Sequence, residues 1–174
     1  TKFGKVSVFS DLNNLNDISM DERYVALCGM TEEEIHHYFE EDIHKLASAQ
    51  GLTYEETCDR LKESYDGYHF VENSEGIYNP FSVLNTFDKM KFGSYWFETG
   101  TPTYLVELLK QNHYNQRRGV SWTTDANGLN DMDDNLISAL YQNGYLTIKN
   151  YDLEFGIYTL GTPNREVKEW FDKY

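Results

Sequence analysis

Residues 95–109 read YWFETGTPTYLVELL, and this stretch decides how the fold is interpreted. A Gly-x-Pro turn at 100–102 stands directly before an amphipathic segment. Glycine permits a close approach of backbone or ligand, and proline pre-sets the backbone of the first helical residue. Leu105, Leu108 and Leu109 then supply an apolar stripe at helical spacing. The stretch therefore predicts a helix that starts at a fixed position, with room for a ligand beside its first turn.

Capping signals and apolar residues at helical spacing predict helices over most of the first hundred residues. The sequences TEEE at 31–34 and TYEE at 53–56 are capping boxes, and Pro80 is placed to begin a further helix. The predicted helices are 21–27, 31–49, 53–64, 80–90 and the segment after the Gly-x-Pro turn. Together they make a five-helix array.

The second part of the chain changes character. Residues 113–134 are polar and rich in Asn, Asp and Gly, which predicts a linker with a short strand near 119–123. The elements predicted after it are a helix at 135–142, a hairpin formed by 145–149 and 154–160, and a helix at 164–174. Helix, hairpin and helix in this order are typical of the back half of a winged helix.

Composition limits the classes of partner. The chain has 174 residues, of which 16% are aromatic, and this is enough material for one good core or two small ones. Its net charge of −14 disfavours binding to nucleic acid and to anionic membrane surfaces. Cys28 and Cys58 lie far apart without a Cys-x-x-Cys motif, and no run of eighteen apolar residues occurs. We therefore expect a soluble, cytoplasmic protein without a disulfide or metal framework.

Further motifs accompany the Gly-x-Pro stretch. They are FSDLNNLND at 9–17, YDGYHF at 65–70, YNPFS at 78–82 and GYLTIK at 144–149. In this order the motifs resemble the AAA-ATPase-like family of bacterial P-loop proteins, whose members often carry a PD-(D/E)XK nuclease-like domain at the C-terminus. The resemblance covers essentially the whole chain. It implies a mainly α fold, with a helical lid bundle at 1–115 and a winged-helix-like segment with a small β-hairpin at 116–174.

The resemblance also implies where a nucleotide would lie. In the related STAND and archaeal-type ATPases, a Gly-x-Pro at the start of a lid helix lies near the base and ribose. Gly100, Thr101 and Pro102 would accordingly be nucleotide-proximal here, and a plain helix start is the alternative. No arginine occupies this helix start.

Catalysis of ATP hydrolysis is not expected from this chain alone. No Gly-x-x-x-x-Gly-Lys-Ser/Thr loop occurs in it, and ATP and Mg²⁺ are expected only in a longer parent protein. The first residue is Thr1, and we expect the chain to be a piece of that parent. Its expected partners are the upstream nucleotide-binding core and a downstream nuclease-like domain of the same polypeptide, without direct contact to nucleic acid or membrane.

The helix before the hairpin bears on DNA binding. In winged helices this helix usually enters the major groove, and it needs Arg, Lys, Asn or Gln to reach the bases. Residues 133–141 read DDNLISALY and contain no basic residue. A packing and interaction role is therefore favoured over reading of DNA.

Histidines supply the candidate catalytic and metal-binding groups. His36 and His44 share a helix face with Glu40, but two turns separate them by about 12 Å, which is too far to hold one ion. His69 stands near Asp66 in an Asp-Gly turn flanked by aromatic residues, which favours a structural role over proton transfer.

Two alternatives to the lid interpretation stay open. The first is a stand-alone helical protein-interaction module without nucleotide, with residues 95–97 as an exposed aromatic patch. The second is a metal-dependent hydrolase that uses His36, His69 or His113.

Overall fold

The computed structural model describes residues 20–99, 103–111, 122–130 and 136–173. Within these ranges the fold is mainly α, as predicted, with one small antiparallel sheet. The helices are α1 Glu32–Tyr38, α2 Glu40–Gln50, α3 Tyr54–Tyr65, α4 Pro80–Lys89, α5 Thr103–Gln111, α6 Ala126–Asn130, α7 Leu136–Gln142 and α8 Arg165–Phe171. The strands are β1 Trp122–Asp125, β2 Thr147–Asp152 and β3 Ile157–Gly161, and 3-10 turns lie at Glu22–Tyr24 and Trp96–Thr99.

The capping signals place the helix starts of the first half correctly. Thr31 and Thr53 form the two capping boxes, and Asn79 caps α4 directly before Pro80. The single helix predicted over 31–49 is wrong in one respect, because the chain bends at Phe39 and forms α1 and α2. The Phe39 ring stacks on Phe87 of α4 at 5.3 Å between centroids, and this tertiary contact accompanies the bend.

The predicted linker contains regular structure. β1 and α6 lie within residues 122–130, and β1 pairs antiparallel with β3 along Trp122 to Asp125. β3 also pairs with β2, which gives the sheet order β1-β3-β2. The predicted hairpin is therefore confirmed, with a third strand added to its edge by a pairing that is distant in sequence.

Two hydrophobic cores organise the described residues. The first core lies among α1 to α4 and includes the fully buried Ile43, Leu46 and Val83. The second core joins α5, α7, α8 and the sheet around Leu105 and Leu140. α5 belongs to the first predicted domain but contributes Leu105 and Leu109 to the second core, and the domain boundary at 115 stays a prediction.

Some of the features predicted from the sequence lie in parts of the chain that the structure does not describe. The motif at 9–17, His113 and the turn Gly100, Thr101 and Pro102 lie outside the described residues. Among the helices of the described ranges, none combines the length and the apolar character that a bilayer crossing requires.

Candidate functional site

The motifs at 65–70, 78–82 and 144–149 meet the segment before the Gly-x-Pro turn at one place, which lies between the two cores. We call this place the junction. It is formed by residues 65–69, 78–82, 94–97, 144–149 and 163–166. Motifs that are separated by up to eighty residues in sequence therefore come together at one place in the fold.

Tyr65 anchors the first-core side of the junction. Its hydroxyl donates to the carbonyl oxygen of Gly93 at 2.9 Å and accepts from the amide of Gly93 at 3.1 Å. The hydroxyl of Thr86 also donates to it, at 2.8 Å. Tyr65 is 1% exposed, and burial raises the pKa of its hydroxyl. The end of α3 is thus joined to α4 and to the segment that leads toward residue 100.

Replacing Tyr65 by phenylalanine should lower the free energy of unfolding by about 2 kcal/mol, because Gly93 and Thr86 lose a buried partner without a change in ring packing. Tyr54→Phe is the matched control, since Tyr54 is only half-buried and its hydroxyl lies 3.1 Å from Nδ1 of His36. Urea unfolding followed by circular dichroism measures both. Equal losses in the two variants would contradict a special role for Tyr65.

Asp66 and Gly67 bring the end of α3 against the approach to α8. The backbone carbonyl of Asp66 accepts from the Asn164 side chain at 3.0 Å, and Asn164 also caps α8 through the amide of Val167. Gly67 adopts φ +94°, and an added Cβ there would overlap the carbonyl oxygen of Pro163. The Asp-Gly turn predicted from the sequence is therefore a site of close backbone approach between the two cores.

Two buried polar atoms of the junction have no hydrogen-bond partner among the described residues, namely Oδ1 of Asp66 and the hydroxyl of Tyr68. Burial raises the pKa of both groups. Unpaired polar atoms between two packed units are costly to keep dry. The junction therefore contains buried polar atoms beside its packed aromatic rings.

His69 has a structural environment. Its backbone amide donates to the Thr147 hydroxyl at 2.7 Å, and that hydroxyl donates to the His69 carbonyl at 3.0 Å. The ring Nδ1 lies 2.9 Å from the carbonyl oxygen of Ser74. These contacts hold the loop after α3 to β2, in agreement with the structural interpretation of this histidine.

Glu166 is the junction residue that the sequence interpretation missed. It is 2% exposed, lies in the first turn of α8, and accepts from the Ser82 hydroxyl at 3.0 and 2.8 Å through its two oxygens. It also accepts from the amides of Trp96, at 3.1 Å, and Tyr95. Burial raises the pKa of this carboxyl group, while the hydrogen bonds from Trp96, Ser82 and Tyr95 oppose the rise.

Residues 95–97 do not form an exposed patch, so this part of the interaction-module hypothesis is wrong. Tyr95 is 5% exposed. Trp96 and Phe97 pack against the second core, where both rings contact Tyr145. Gly144 makes room for this packing, since an added Cβ would lie 2.7 Å from Cη2 of Trp96.

The candidate nucleotide-proximal residues Gly100, Thr101 and Pro102 lie outside the described residues, but both flanks are described. The 3-10 turn Trp96–Thr99 precedes them, and α5 begins at Thr103. The first N–H groups of a helix have no partner within the helix, and they suit a hydrogen-bonding or anionic ligand. The flanks of the turn are therefore a 3-10 turn on one side and the first turn of α5 on the other.

His36 of α1 and His44 of α2 both lie beside Tyr54 of α3. His36 Nδ1 lies 3.1 Å from the Tyr54 hydroxyl, and the His44 ring lies 4.7 Å from the Tyr54 ring. In the part of the chain that the structure describes, no three His, Cys, Asp or Glu side chains are grouped to hold a metal ion. The metal-dependent hydrolase stays a hypothesis.

The chain is similar to part of a longer bacterial protein. The chain is 40% identical over 174 aligned residues to the "Uncharacterized protein in vnfD 5'region" of Azotobacter chroococcum mcd 1. The alignment covers 97% of this chain but 31% of that relative, so the chain spans about a third of the longer protein. No family model matches the chain, and no solved structure matches it.

Proposed function

We propose that the chain is the lid and winged-helix-like portion of a larger AAA-ATPase-like protein. In this proposal it contributes contacts near a bound nucleotide and couples the nucleotide state to a following domain. The observation that carries the proposal is the junction, where two of the motifs behind the family resemblance contact Trp96 through the rings of Tyr68 and Tyr145. A third motif, 78–82, reaches the same segment through Glu166, whose carboxylate accepts from Ser82 and from the amide of Trp96. A domain that transmits a movement from this turn to a following domain needs packed contacts of this kind between its elements.

The order of elements in the second core supports the winged-helix part of the proposal. A helix, α5, is followed by strand β1, helices α6 and α7, and then the hairpin of β2 and β3, with β1 added at the edge of β3. All residues of α7 are buried or half-buried within the protein. This helix is thereby suited to packing, which agrees with its lack of basic residues and with the proposed absence of DNA reading.

The phosphate chemistry is assigned to a region outside this chain. ATP and Mg²⁺ would be held by an upstream nucleotide-binding core, and a nuclease-like domain would follow downstream, in a cytoplasmic protein. The alignment of this chain to 31% of a longer relative is consistent with a role as one part of such a protein. When bound, the nucleotide would supply a bridge between that core and the turn at Gly100, Thr101 and Pro102.

Isothermal titration with ATP and Mg²⁺ tests this proposal. The 174-residue chain alone should bind no ATP measurably, whereas the longer protein that contains it should bind with a Kd in the micromolar range or below. An alanine in place of the lysine of the upstream Gly-x-x-x-x-Gly-Lys-Ser/Thr loop should abolish that binding. Micromolar binding by the short chain, or a longer protein without such a loop, would contradict the proposal and favour the stand-alone interaction module.

A further inference from the structure

A small cavity lies where α3 and the segment 92–94 meet α8. Its volume is about 100 Å³, which is room for several water molecules or for one tetrahedral oxyanion. Three of the side chains that line it carry hydrogen-bond donors, namely Arg60 and Ser64 of α3 and Arg165 of α8. The cavity therefore brings donors from two helices to one place.

Ser64 brings an unpartnered hydroxyl to this cavity. It is 8% exposed, and its hydroxyl makes no hydrogen bond to the residues that the structure describes. Hydroxyls inside helices often donate to the carbonyl four residues earlier, as those of Thr57 and Thr86 do here at 2.7 and 2.9 Å. Because buried polar groups normally have a partner, the Ser64 hydroxyl calls for a water or a ligand in the cavity.

Arg60 supplies a cation to the same cavity. It stands one turn before Ser64, so both side chains lie on one face of α3. Its guanidinium carbon lies 4.5 Å from the centroid of the Phe92 ring, a cation–π contact that holds the group beside the cavity. Within the described ranges Arg60 makes no ion pair and no side-chain hydrogen bond. Its charge and its N–H donors are therefore available to a ligand.

Arg165, the first residue of α8, adds a second guanidinium group. Its Nε donates to Oε1 of Glu169 at 2.8 Å, and its Nη1 lies 3.7 Å from Oε2 of Glu63. The contact with Glu63 is an ion pair that is too long for a hydrogen bond. Since a guanidinium group has five N–H donors, the donors on both Nη atoms remain available.

The carboxylates around the cavity already have donors. Both oxygens of Glu166 accept from the Ser82 hydroxyl, at 3.0 and 2.8 Å. The two oxygens of Glu169 accept from Arg165 and from the Ser94 hydroxyl. The cavity thus offers more free donors than free acceptors, and it suits a ligand that is rich in acceptor oxygens.

We propose that this cavity binds a phosphate group through Arg60, Ser64 and Arg165. Three donor groups on two helices suit the four oxygens of a tetrahedral oxyanion better than the two oxygens of a carboxylate, and arginine pairs well with phosphate. The site is independent of the proposed function, because none of its residues lies in the Gly-x-Pro turn. The carboxylates of Glu166 and Glu169 oppose an anion, so binding is weak, with a Kd on the order of 1 mM.

Inorganic phosphate is the probe, added to the 174-residue chain at constant pH and ionic strength. Two-dimensional proton–nitrogen NMR should show the amide signals of Ser64, Gly93 and Arg165 shifting along one saturating curve. Chloride and acetate are the comparison anions, and neither should give a saturating shift at these amides. No saturating shift with phosphate would mean that the cavity holds water only, and an equal response to acetate would mean a carboxylate site; either result would overturn the proposal.

Variants locate the binding. Arg60→Gln should weaken phosphate binding about tenfold or more, because it removes the unpaired cation. Ser64→Ala should weaken binding about threefold, and it preserves α3 because alanine is a good helix former. Arg23→Gln is the matched control, since it removes the same charge from an exposed arginine that pairs with Asp21 and does not line the cavity.

The control decides between a site and a general effect of charge. Arg23→Gln should bind phosphate as the wild type does, and equal losses in Arg23→Gln and Arg60→Gln would overturn the proposed site. Unchanged binding in Arg60→Gln would overturn it as well. O-phosphoserine, as a second probe, distinguishes the source of the phosphate group: tighter binding than that of inorganic phosphate assigns the site to a phosphorylated molecule, and weaker binding assigns it to the free ion.

Discussion

Alanine at Gly67 is expected to lower the free energy of unfolding by about 3 kcal/mol or more, through backbone strain and overlap with a main-chain atom. Gly67 has φ +94°, which L side chains rarely adopt, and its added Cβ would overlap the carbonyl oxygen of Pro163. That oxygen belongs to the backbone and has no rotamer through which to move aside. The two cores would therefore have to separate locally.

Gly51 offers a matched control for this substitution. It has φ +67° at the end of α2, and an added Cβ there would meet nothing within 4 Å. Alanine at Gly51 should therefore cost only the conformational strain, about 1 kcal/mol. Urea unfolding of both variants measures the difference, and equal losses would show that the approach of Gly67 to Pro163 does not contribute to stability.

Probes for the two cores extend the Gly67 experiment. The three tryptophans of the chain, Trp96, Trp122 and Trp170, all pack in or against the second core, so their fluorescence reports its unfolding. Circular dichroism also reports the helices of the first core. In Gly67→Ala we expect the two signals to change at different urea concentrations, because the contact between the cores is weakened.

Local signals predicted much of the fold. Helix starts at 32, 54 and 80 follow from side chains that cap nearby N–H groups, and these interactions are readable within four residues of sequence. The bend at Phe39 accompanies a contact with Phe87, and β1 pairs with β3, and in both cases the partner is more than thirty residues away. Such contacts leave no local pattern, which explains the unbroken helix over 31–49 and the linker that were predicted instead.

The residues of the candidate site also fall into those that local sequence signals predict and those that they do not. The Gly-x-Pro turn and the Asp-Gly turn could be found because glycine and proline mark special backbone conformations. Glu166 looked like an ordinary acidic residue in the first turn of a helix. The sequence does indicate that Glu166 is buried, because it stands four residues before Trp170 and so shares the buried face of α8. An acidic residue on an apolar face requires buried hydrogen-bond donors.

The second large effect is expected from Glu166→Ala, which should lower the free energy of unfolding by about 3 kcal/mol at pH 7, because the Ser82 hydroxyl and two amides lose their acceptor. Glu169→Ala should cost less than about 1 kcal/mol, since Glu169 is half-buried and its contacts with Ser94 and Arg165 are partly solvated. Urea unfolding measures both, and similar losses would contradict the assignment of Glu166 as the central contact.

The pH dependence of stability separates the charge of Glu166 from its hydrogen bonds. Burial raises its pKa above 4.5 in the folded state, so the folded protein binds this proton more tightly than the unfolded chain. Stability should therefore decline as pH rises from about 4.5 through the folded-state pKa. Glu166→Gln keeps an acceptor but cannot ionise, so its decline over this window should be smaller. Asp66, whose pKa is raised above 3.8 by burial, titrates in both proteins and leaves a common residual slope. Identical slopes in wild type and Glu166→Gln would show that the Glu166 carboxyl group does not titrate differently on folding.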